Sequence, residues 1–350
     1  MLNLEKIEKV DTSSMYKVYD EWPDIANQAF NSELEQIEFE NIDNVVFAGM
    51  GGSGSIGDIF TSILSKAKIH SSTVKGYLLP NTINENSLVI VTSVSGNTVE
   101  VQNILKTSFT KKYKLICFSS GGIIEEYCKK NNIIHKHVEK IHSPRASFTR
   151  FLYSMLKILQ PNIPIKNEEV LESINELKKL GLKINSSNIS ELNPSLNIAN
   201  WISNVPVIYY PWGLQAAAIR FKNSLQENAK IHAMVEDVVE ASHNGIVAWE
   251  KSSEFKPILI QGSDDNKNTK ERWDIFKNYF NDRNIEFKEV QTQGKGILSK
   301  IVYLIYLLDY SSIYRSVLSQ IDPTPVKSID YIKLKLSKND TIYEDLMDIK

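Results

Sequence analysis

The stretch VVFAGMGGSGSIGDIF, residues 45–60, joins a β-branched run to a glycine-rich turn and a helical pattern. Gly49, Gly51 and Gly54 have the G-x-G-x-x-G spacing of the dinucleotide-binding fingerprint, whose glycines allow a tight turn and a close approach of backbone to phosphate. The stretch therefore predicts a strand, a phosphate-binding loop and a helix. It leaves open whether the phosphate belongs to a nucleotide or to another ligand.

A dinucleotide site has a second requirement, which this chain does not meet. An acidic residue that binds the ribose hydroxyls is expected about 20 positions further on, at the end of the second strand. The corresponding window, IHSSTVKGYLL at 69–79, contains no acid and one lysine, Lys75. The missing acid counts against NAD, whereas NADP is not excluded, because it favours a basic residue at that place.

The same alternation of strand and helix patterns extends outward from this stretch in both halves of the chain. Strands are predicted at 44–47, 88–92, 114–118 and 133–137, and then, after a polar segment, at 205–210, 257–261 and 285–290. Strands separated by helices favour parallel sheets with helices on both faces. We predict an α/β protein with two doubly wound modules, 1–160 and 195–350, joined by a helical connector at 161–194.

Composition excludes several classes of protein. The 350 residues include 40 basic and 42 acidic side chains, a net charge of −2, which offers no electrostatic footprint for nucleic acid or an anionic membrane. No apolar run reaches the length of a membrane span, and the N-terminus lacks the pattern of a signal peptide. Two cysteines without a Cys/His cluster favour a reducing cytoplasm and give little support for a metal.

A second polar loop follows the predicted strand at 88–92. The sequence SVSGNT places Ser93, Ser95 and Thr98 where that strand ends and the next helix begins. In a parallel sheet, ligands bind at the carboxyl ends of strands, and a helix N-terminus favours an anion. These hydroxyls next to the glycine loop predict a phosphate site rather than a helix cap alone.

The two loops together resemble the sugar isomerase (SIS) module, which has a flavodoxin-like fold and binds phosphorylated sugars through serine- and threonine-rich loops. Further motifs follow in order, namely SPRAS at 143–147, LQENAK at 225–230, SHN at 242–244 and DPTPVKSIDYIKLKL at 322–336. Nearly the whole chain thus resembles the bifunctional phosphoglucose/phosphomannose isomerases, with two SIS modules per chain. The resemblance implies interconversion of glucose 6-phosphate or mannose 6-phosphate with fructose 6-phosphate, without metal or redox cofactor.

The resemblance also implies roles for particular residues. Glu227 is the expected base of the proton transfer, and partial withdrawal from water would raise the pKa of such a carboxylate toward the working pH. His243 is expected to open the sugar ring from across a homodimer interface, and Arg145 to stabilise the enediolate. Lys333 is expected near the ring oxygen or the substrate hydroxyls. His232 lies outside the motif and is interpreted as structural.

Substrate binding is expected from the loop residues. We predict that the phosphate and sugar are bound by Gly51, Gly52, Ser53, Ser93, Ser95, Thr98, Pro144 and Thr324, the last with a role in admitting the C2 epimer.

Two other classes of function remain open at the level of sequence. A non-catalytic SIS-type regulator would bind a sugar phosphate but would not require Glu227, His243 and Arg145 together. An NADP-dependent reductase would bind a nicotinamide cofactor at the glycine loop. The partners expected for the isomerase are a hexose 6-phosphate and a second copy of the chain, with neither nucleic acid nor membrane.

Overall fold

A computed structural model describes residues 2–337. These residues form two compact units that are not contiguous in sequence. We call 34–57, 64–163 and 324–337 the glycine-loop unit, and 2–33, 58–63 and 164–323 the Glu227 unit.

The elements of the first half, in chain order, are α1 (Leu4–Val10), α2 (Met15–Asp20), α3 (Trp22–Phe30), β1 (Asn44–Ala48), α4 (Gly51–Leu64), β2 (His70–Val74), β3 (Ser87–Ser93), α5 (Val99–Thr110), β4 (Lys114–Ser119), α6 (Gly122–Lys130), β5 (Ile134–His137) and α7 (Phe148–Ile158).

The elements of the second half are α8 (Asn167–Ile184), α9 (Pro194–Trp201), β6 (Pro206–Tyr210), α10 (Gln215–Ser224), β7 (Met234–Asp237), α11 (Val238–Ala241), β8 (Lys256–Gln261), α12 (Lys267–Asp282), β9 (Lys288–Gln291), α13 (Ile297–Leu318) and α14 (Lys327–Ser337). A π-helical turn, Leu225–Ala229, follows α10 directly, and a 3₁₀ helix covers Gly245–Glu250.

The glycine-loop unit contains a five-stranded sheet in which each pair of neighbours is parallel. The strand order is β2-β1-β3-β4-β5, which is the flavodoxin-like order of a doubly wound sheet. All residues of the inner strands β1 and β3 are buried, as expected for strands covered on both faces, whereas the edge strands β2 and β5 are partly exposed.

The Glu227 unit contains a second parallel sheet, with four strands in the order β7-β6-β8-β9. Its first strand, β6, lies second in the sheet, as β1 does in the other unit. The two sheets therefore have the same winding, and the prediction of two doubly wound α/β modules is confirmed.

The core of the Glu227 unit is built around α13. This helix packs against α8, α9 and α10 and has buried residues along its whole length. By length and composition it could span a membrane, but 89% of its most apolar window is buried inside the protein, as in a core helix.

The units group residues differently from the three contiguous segments expected from the sequence. The N-terminal helices α1–α3 lie in the Glu227 unit, and residues 324–337 lie in the glycine-loop unit. The expected connector forms α8, which packs on α13 because its apolar face requires a partner. Residues 338–350 of the expected third segment lie outside the described residues.

Candidate active site

The two predicted phosphate loops lie side by side at the switch point of the five-stranded sheet. β1 and β3 are neighbours, and the order of strands reverses between them, which is where doubly wound folds bind ligands. The loop after β1 reaches the loop after β3, since the backbone N–H of Val94 donates to Ser53 Oγ over 3.4 Å.

The hydroxyl groups of the second loop form a cluster. Ser93 Oγ and Thr98 Oγ1 lie 2.8 Å apart, and Ser93 Oγ also accepts from the N–H of Gly96 at 3.1 Å. Ser95 Oγ accepts from the N–H of Asn97 at 3.3 Å. Although Thr98 precedes α5, its side chain makes no capping hydrogen bond. The hydroxyls are therefore arranged around the loop at the N-terminus of α5, where N–H groups and the helix dipole favour an anion.

Glycine is required at the turn of this second loop. Gly96 has φ +69°, and a Cβ at that position would lie 1.7 Å from the carbonyl oxygen of Gly121. A third loop, after β4, thus packs on the second, and the Asn97 side chain joins them by accepting from the N–H of Ile123 at 3.1 Å. This third loop was not predicted as part of the site, although the letters SSGG at 119–122 are a turn signal.

The glycines of the first loop allow the backbone to pack closely on itself. A Cβ at Gly49 would lie 2.8 Å from the carbonyl carbon of Ser53, and one at Gly54 would lie 2.8 Å from the oxygen of Gly49. The stem of Lys75, which follows the end of β2, lies against Gly54. The second strand therefore ends at Val74, directly before this lysine, and no acid stands at its end.

Two motifs far apart in sequence meet at Arg145. Its side chain is buried, and Nη2 donates to the backbone oxygen of Thr324 over 2.9 Å. The structure thus brings together Arg145, from SPRAS, and Thr324, from DPTPV. Pro144, next to the arginine, is exposed.

The C-terminal lysine lies on a helix. Lys333 is exposed on α14, in the same unit as Arg145. Because the segment is helical, Lys335 points about 200° away around the helix axis, and its Nζ lies 5.5 Å from the ring centroid of Tyr331.

Glu227 lies in the π-helical turn after α10 and is half-buried. Asn228, the next residue, is buried within the turn, and its Nδ2 donates to Ser312 Oγ of α13 over 2.8 Å. The helix ends two residues later, where Lys230 takes the left-handed conformation with φ 58°. Single π turns occur frequently at functional sites.

His243 is exposed in the turn between α11 and the following 3₁₀ helix, in the same unit as Glu227. The Glu236 carboxylate packs against Gly245, where an added Cβ would lie within van der Waals distance of it. Burial, and then the neighbouring Glu240, raise the pKa of Glu236. No motif in the sequence pointed to Glu236.

His232 lies in an exposed loop segment after the π turn. Within residues 2–337, no group of three or more His, Cys, Asp or Glu side chains is arranged to hold a metal ion. We assign no metal-binding residues.

Comparison with known proteins places this fold in a wider class. Residues 191–336 match the family model of the bacterial phospho-glucose isomerase C-terminal SIS domain. The C-terminal domain of glucosamine-fructose-6-phosphate aminotransferase from Francisella tularensis superimposes with a TM-score of 0.64 at 16% identity, covering 87% of this chain and 96% of that domain. The chain thus has the fold of the SIS proteins.

Relatives with higher sequence identity are more specific. The bifunctional phosphoglucose/phosphomannose isomerase of Caldicellulosiruptor bescii is 30% identical over 86% of this chain and 92% of its own length. The enzyme of the same description from Aquifex aeolicus is 29% identical over 96% of this chain and 100% of its own length. The chain belongs to the bifunctional phosphoglucose/phosphomannose isomerase family.

Proposed function

We propose that this enzyme interconverts glucose 6-phosphate, mannose 6-phosphate and fructose 6-phosphate by a metal-independent proton transfer through an enediolate. Family membership supports the reaction class. The single structural observation that carries the proposal is the pair of hydroxyl-rich loops joined at the switch point of the five-stranded sheet. A site of this kind suits a phosphate monoester.

The phosphate would be bound by the loops that follow β1 and β3. Their backbone N–H and side-chain O–H groups would donate hydrogen bonds to the phosphate without a lysine or arginine side chain. The bound 6-phosphate would then fix the position of the sugar. Positioning of this kind lowers the barrier of the later proton transfer. The residues assigned to this task are Gly51, Gly52, Ser53, Ser93, Ser95 and Thr98.

The proton transfer is assigned to Glu227. Its carboxylate would remove the proton from C2 of the aldose and return it to C1. In the same conversion, the C1 carbonyl group becomes a hydroxyl group and the C2 hydroxyl group becomes the carbonyl. The guanidinium of Arg145 would stabilise the negative charge of the enediolate. The half-buried position of Glu227 in a π turn supports this role, because it restricts the carboxylate.

Ring opening is assigned to His243, with Lys333 near the ring oxygen or the substrate hydroxyls, and Pro144 and Thr324 beside the sugar. We further propose a homodimer in which His243 serves the active site of the partner subunit, and a cytoplasmic location. The exposure of His243 in a turn is consistent with service to a second copy of the chain.

The proposal is tested with purified protein, fructose 6-phosphate and EDTA, by quantifying both aldose products. We expect both glucose 6-phosphate and mannose 6-phosphate. Glu227→Gln should leave fructose 6-phosphate affinity within about three-fold but lower kcat by about 10³-fold or more, because the base is lost while the shape is kept. Glu191→Gln, on an exposed loop of the same unit, is the matched control and should behave as wild type.

Three other outcomes would each contradict part of the proposal. Formation of only one aldose product would mean that the protein is an isomerase of a single aldose. Tight binding without any product would indicate a regulator instead of an enzyme. Near-normal turnover by Glu227→Gln would exclude Glu227 as the base.

A further inference from the structure

The third loop, which follows β4, is hydrogen-bonded to the second loop at both ends of its turn. The N–H of Ser120 donates to the oxygen of Val94 at 3.2 Å, and the N–H of Ile124 donates to the oxygen of Gly96 at 3.0 Å. Both acceptors lie inside the SVSGNT stretch that carries the hydroxyl cluster. The shape of the second loop therefore depends on the conformation of the third.

The centre of the third loop is two consecutive glycines. Gly121 and Gly122 have φ +117° and +73°. Because glycine populates many backbone conformations, the peptide group between these two residues can rotate at little cost. The oxygen of Gly121 nevertheless packs against Gly96, where an added Cβ would lie 1.7 Å from it. A rotated Gly121 carbonyl would change this contact, so its direction has to be fixed by another group.

Ser119 fixes the direction of this carbonyl. Its Oγ donates to the oxygen of Gly121 at 2.9 Å and accepts from the N–H of the same residue at 3.3 Å. A hydroxyl group has a single hydrogen, and this bond to Gly121 uses it. Ser119 is fully buried, so bulk water does not replace a partner that it loses.

His135, on β5, determines where the hydroxyl hydrogen of Ser119 goes. His135 Nε2 lies 2.8 Å from Ser119 Oγ. If Nε2 carries a hydrogen, it donates to Oγ, and the hydroxyl hydrogen stays with the oxygen of Gly121. If Nε2 carries none, it competes for that hydrogen as an acceptor. The arrangement in which Nε2 donates satisfies all of these groups together, and burial lowers the pKa of His135, which favours the neutral ring.

We propose that His135 is a positioning residue for phosphate binding. Through Ser119 it holds the Gly121 carbonyl against Gly96, and this contact keeps the second loop in the shape that presents its hydroxyl cluster to the phosphate. The inference rests on the phosphate site proposed above, but it does not depend on isomerase chemistry, because phosphate binding precedes the proton transfer.

The test is the Kd for fructose 6-phosphate and for inorganic phosphate, measured by titration calorimetry. His135→Leu removes the donor, and we expect both Kd values to rise about ten-fold, as for one lost hydrogen bond. His135→Gln should bring both Kd values to within about two-fold of wild type, because its amide can donate from the place of Nε2. His137→Leu is the matched control and should leave both values unchanged. His137 lies on the same strand but is exposed, with Nδ1 3.3 Å from Glu125 Oε2.

A double-variant cycle distinguishes this connection from a general loss of stability. Ser119→Ala should raise both Kd values as much as His135→Leu does. The double variant should bind no more weakly than either single variant, because both changes break the same connection. Ser119→Ala and His135→Gln also decide the question if His135→Leu folds poorly, which the Tm of each unliganded variant reveals.

Four results would overturn the inference: an unchanged Kd in folded His135→Leu, an equal loss in His137→Leu, losses that add in the double variant, or a His135→Gln variant as weak as His135→Leu. If the wild type binds fructose 6-phosphate and the variants show the expected pattern, yet no aldose forms, the inference stands and the isomerase proposal fails. If the wild type isomerises and the variants match it in Kd, only the inference fails.

Discussion

Among individual residues, the ion pair of Arg220 and Asp309 stands out by its complete burial. Asp309 Oδ2 accepts from Arg220 Nε at 2.9 Å and from Nη2 at 2.7 Å, while Oδ1 accepts from Ser224 Oγ at 2.6 Å. Burial raises the pKa of Asp309, although Arg220 opposes that shift. The pair joins α10 to α13 immediately before the turn that carries Glu227.

We expect Asp309→Asn to destabilise the protein by about 3–5 kcal/mol, because it removes the charge that pairs with the buried Arg220 guanidinium. The measurement is the urea midpoint of unfolding, followed by circular dichroism. The double variant Arg220→Met with Asp309→Leu should recover most of the loss, since an apolar pair of similar volume removes both charges together. A single variant as stable as wild type would contradict this reading of the pair.

The two loops that we propose for phosphate binding are visible in the sequence because their residues are consecutive. The hydroxyls of SVSGNT and the glycines of the first loop come as short strings whose chemistry is visible in the letters. Glu236 could not be found in this way. A glutamate looks the same in the sequence whether its carboxylate faces water or packs against a turn, and only the packing of the chain distinguishes the two.

At the level of the element, the π turn positions Glu227. The turn adds one residue to the helical repeat, which changes the direction of Glu227 relative to a continuous α-helix. It is tied to α13 through the hydrogen bond from Asn228 to Ser312. Because Asn228 is fully buried, that bond cannot be replaced by one to bulk water without a rearrangement.

We expect Ser312→Ala to lower kcat about ten-fold with little change in KM. Without this acceptor, the buried Asn228 amide would favour a relaxed turn, and the Glu227 carboxylate would lose the orientation that we propose for the proton transfer. Steady-state kinetics with fructose 6-phosphate gives both constants. Ser316→Ala is the matched control, since Ser316 lies one turn further along α13, is buried and donates to the oxygen of Ile313 at 2.7 Å. Equal losses of kcat in the two variants would mean that only general stability was affected.

Strands were predictable where they are buried on both faces. The inner strands β1, β3 and β4 were expected within one or two residues of their observed bounds, because each is a continuous apolar run. The edge strands β2, HSSTV, and β7, MVED, were not predicted, since they are half exposed and carry polar side chains. Pairing with a neighbouring strand, rather than their own pattern, makes them strands.

For the whole molecule, the order of the sequence is a poor guide to which parts pack together. The helices α1–α3 and α8 were not expected in the unit of the second sheet, because the apolar surface of α13 that they cover lies more than 100 residues away in the sequence. Patterns read along the chain report which face of a helix is apolar, but they do not report its partner. The repeated winding of the two sheets, by contrast, follows from the local order of strands and helices, and it was predicted.

The proposed homodimer makes a prediction that only the assembled protein can test. If His243 of one subunit serves the site of the other, the variants Glu227→Gln and His243→Asn should each be inactive alone but should complement when mixed. In a mixed dimer, one site combines both defects, while the other combines an intact Glu227 with an intact His243 from its partner. Random exchange of equal amounts makes half the dimers mixed, each with one intact site of two, so activity should recover to about a quarter of wild type.

The experiment mixes the two purified variants under conditions that allow subunit exchange, and aldose formation from fructose 6-phosphate is followed with time. Mixing Glu227→Gln with Glu227→Asp,His243→Asn is the control, because no combination of those chains provides an intact pair. Size-exclusion chromatography with light scattering on each sample establishes that dimers are present. If dimers exchange and the first mixture stays inactive, Glu227 and His243 act within one chain, because a mixed dimer would then carry one defect in each of its two sites.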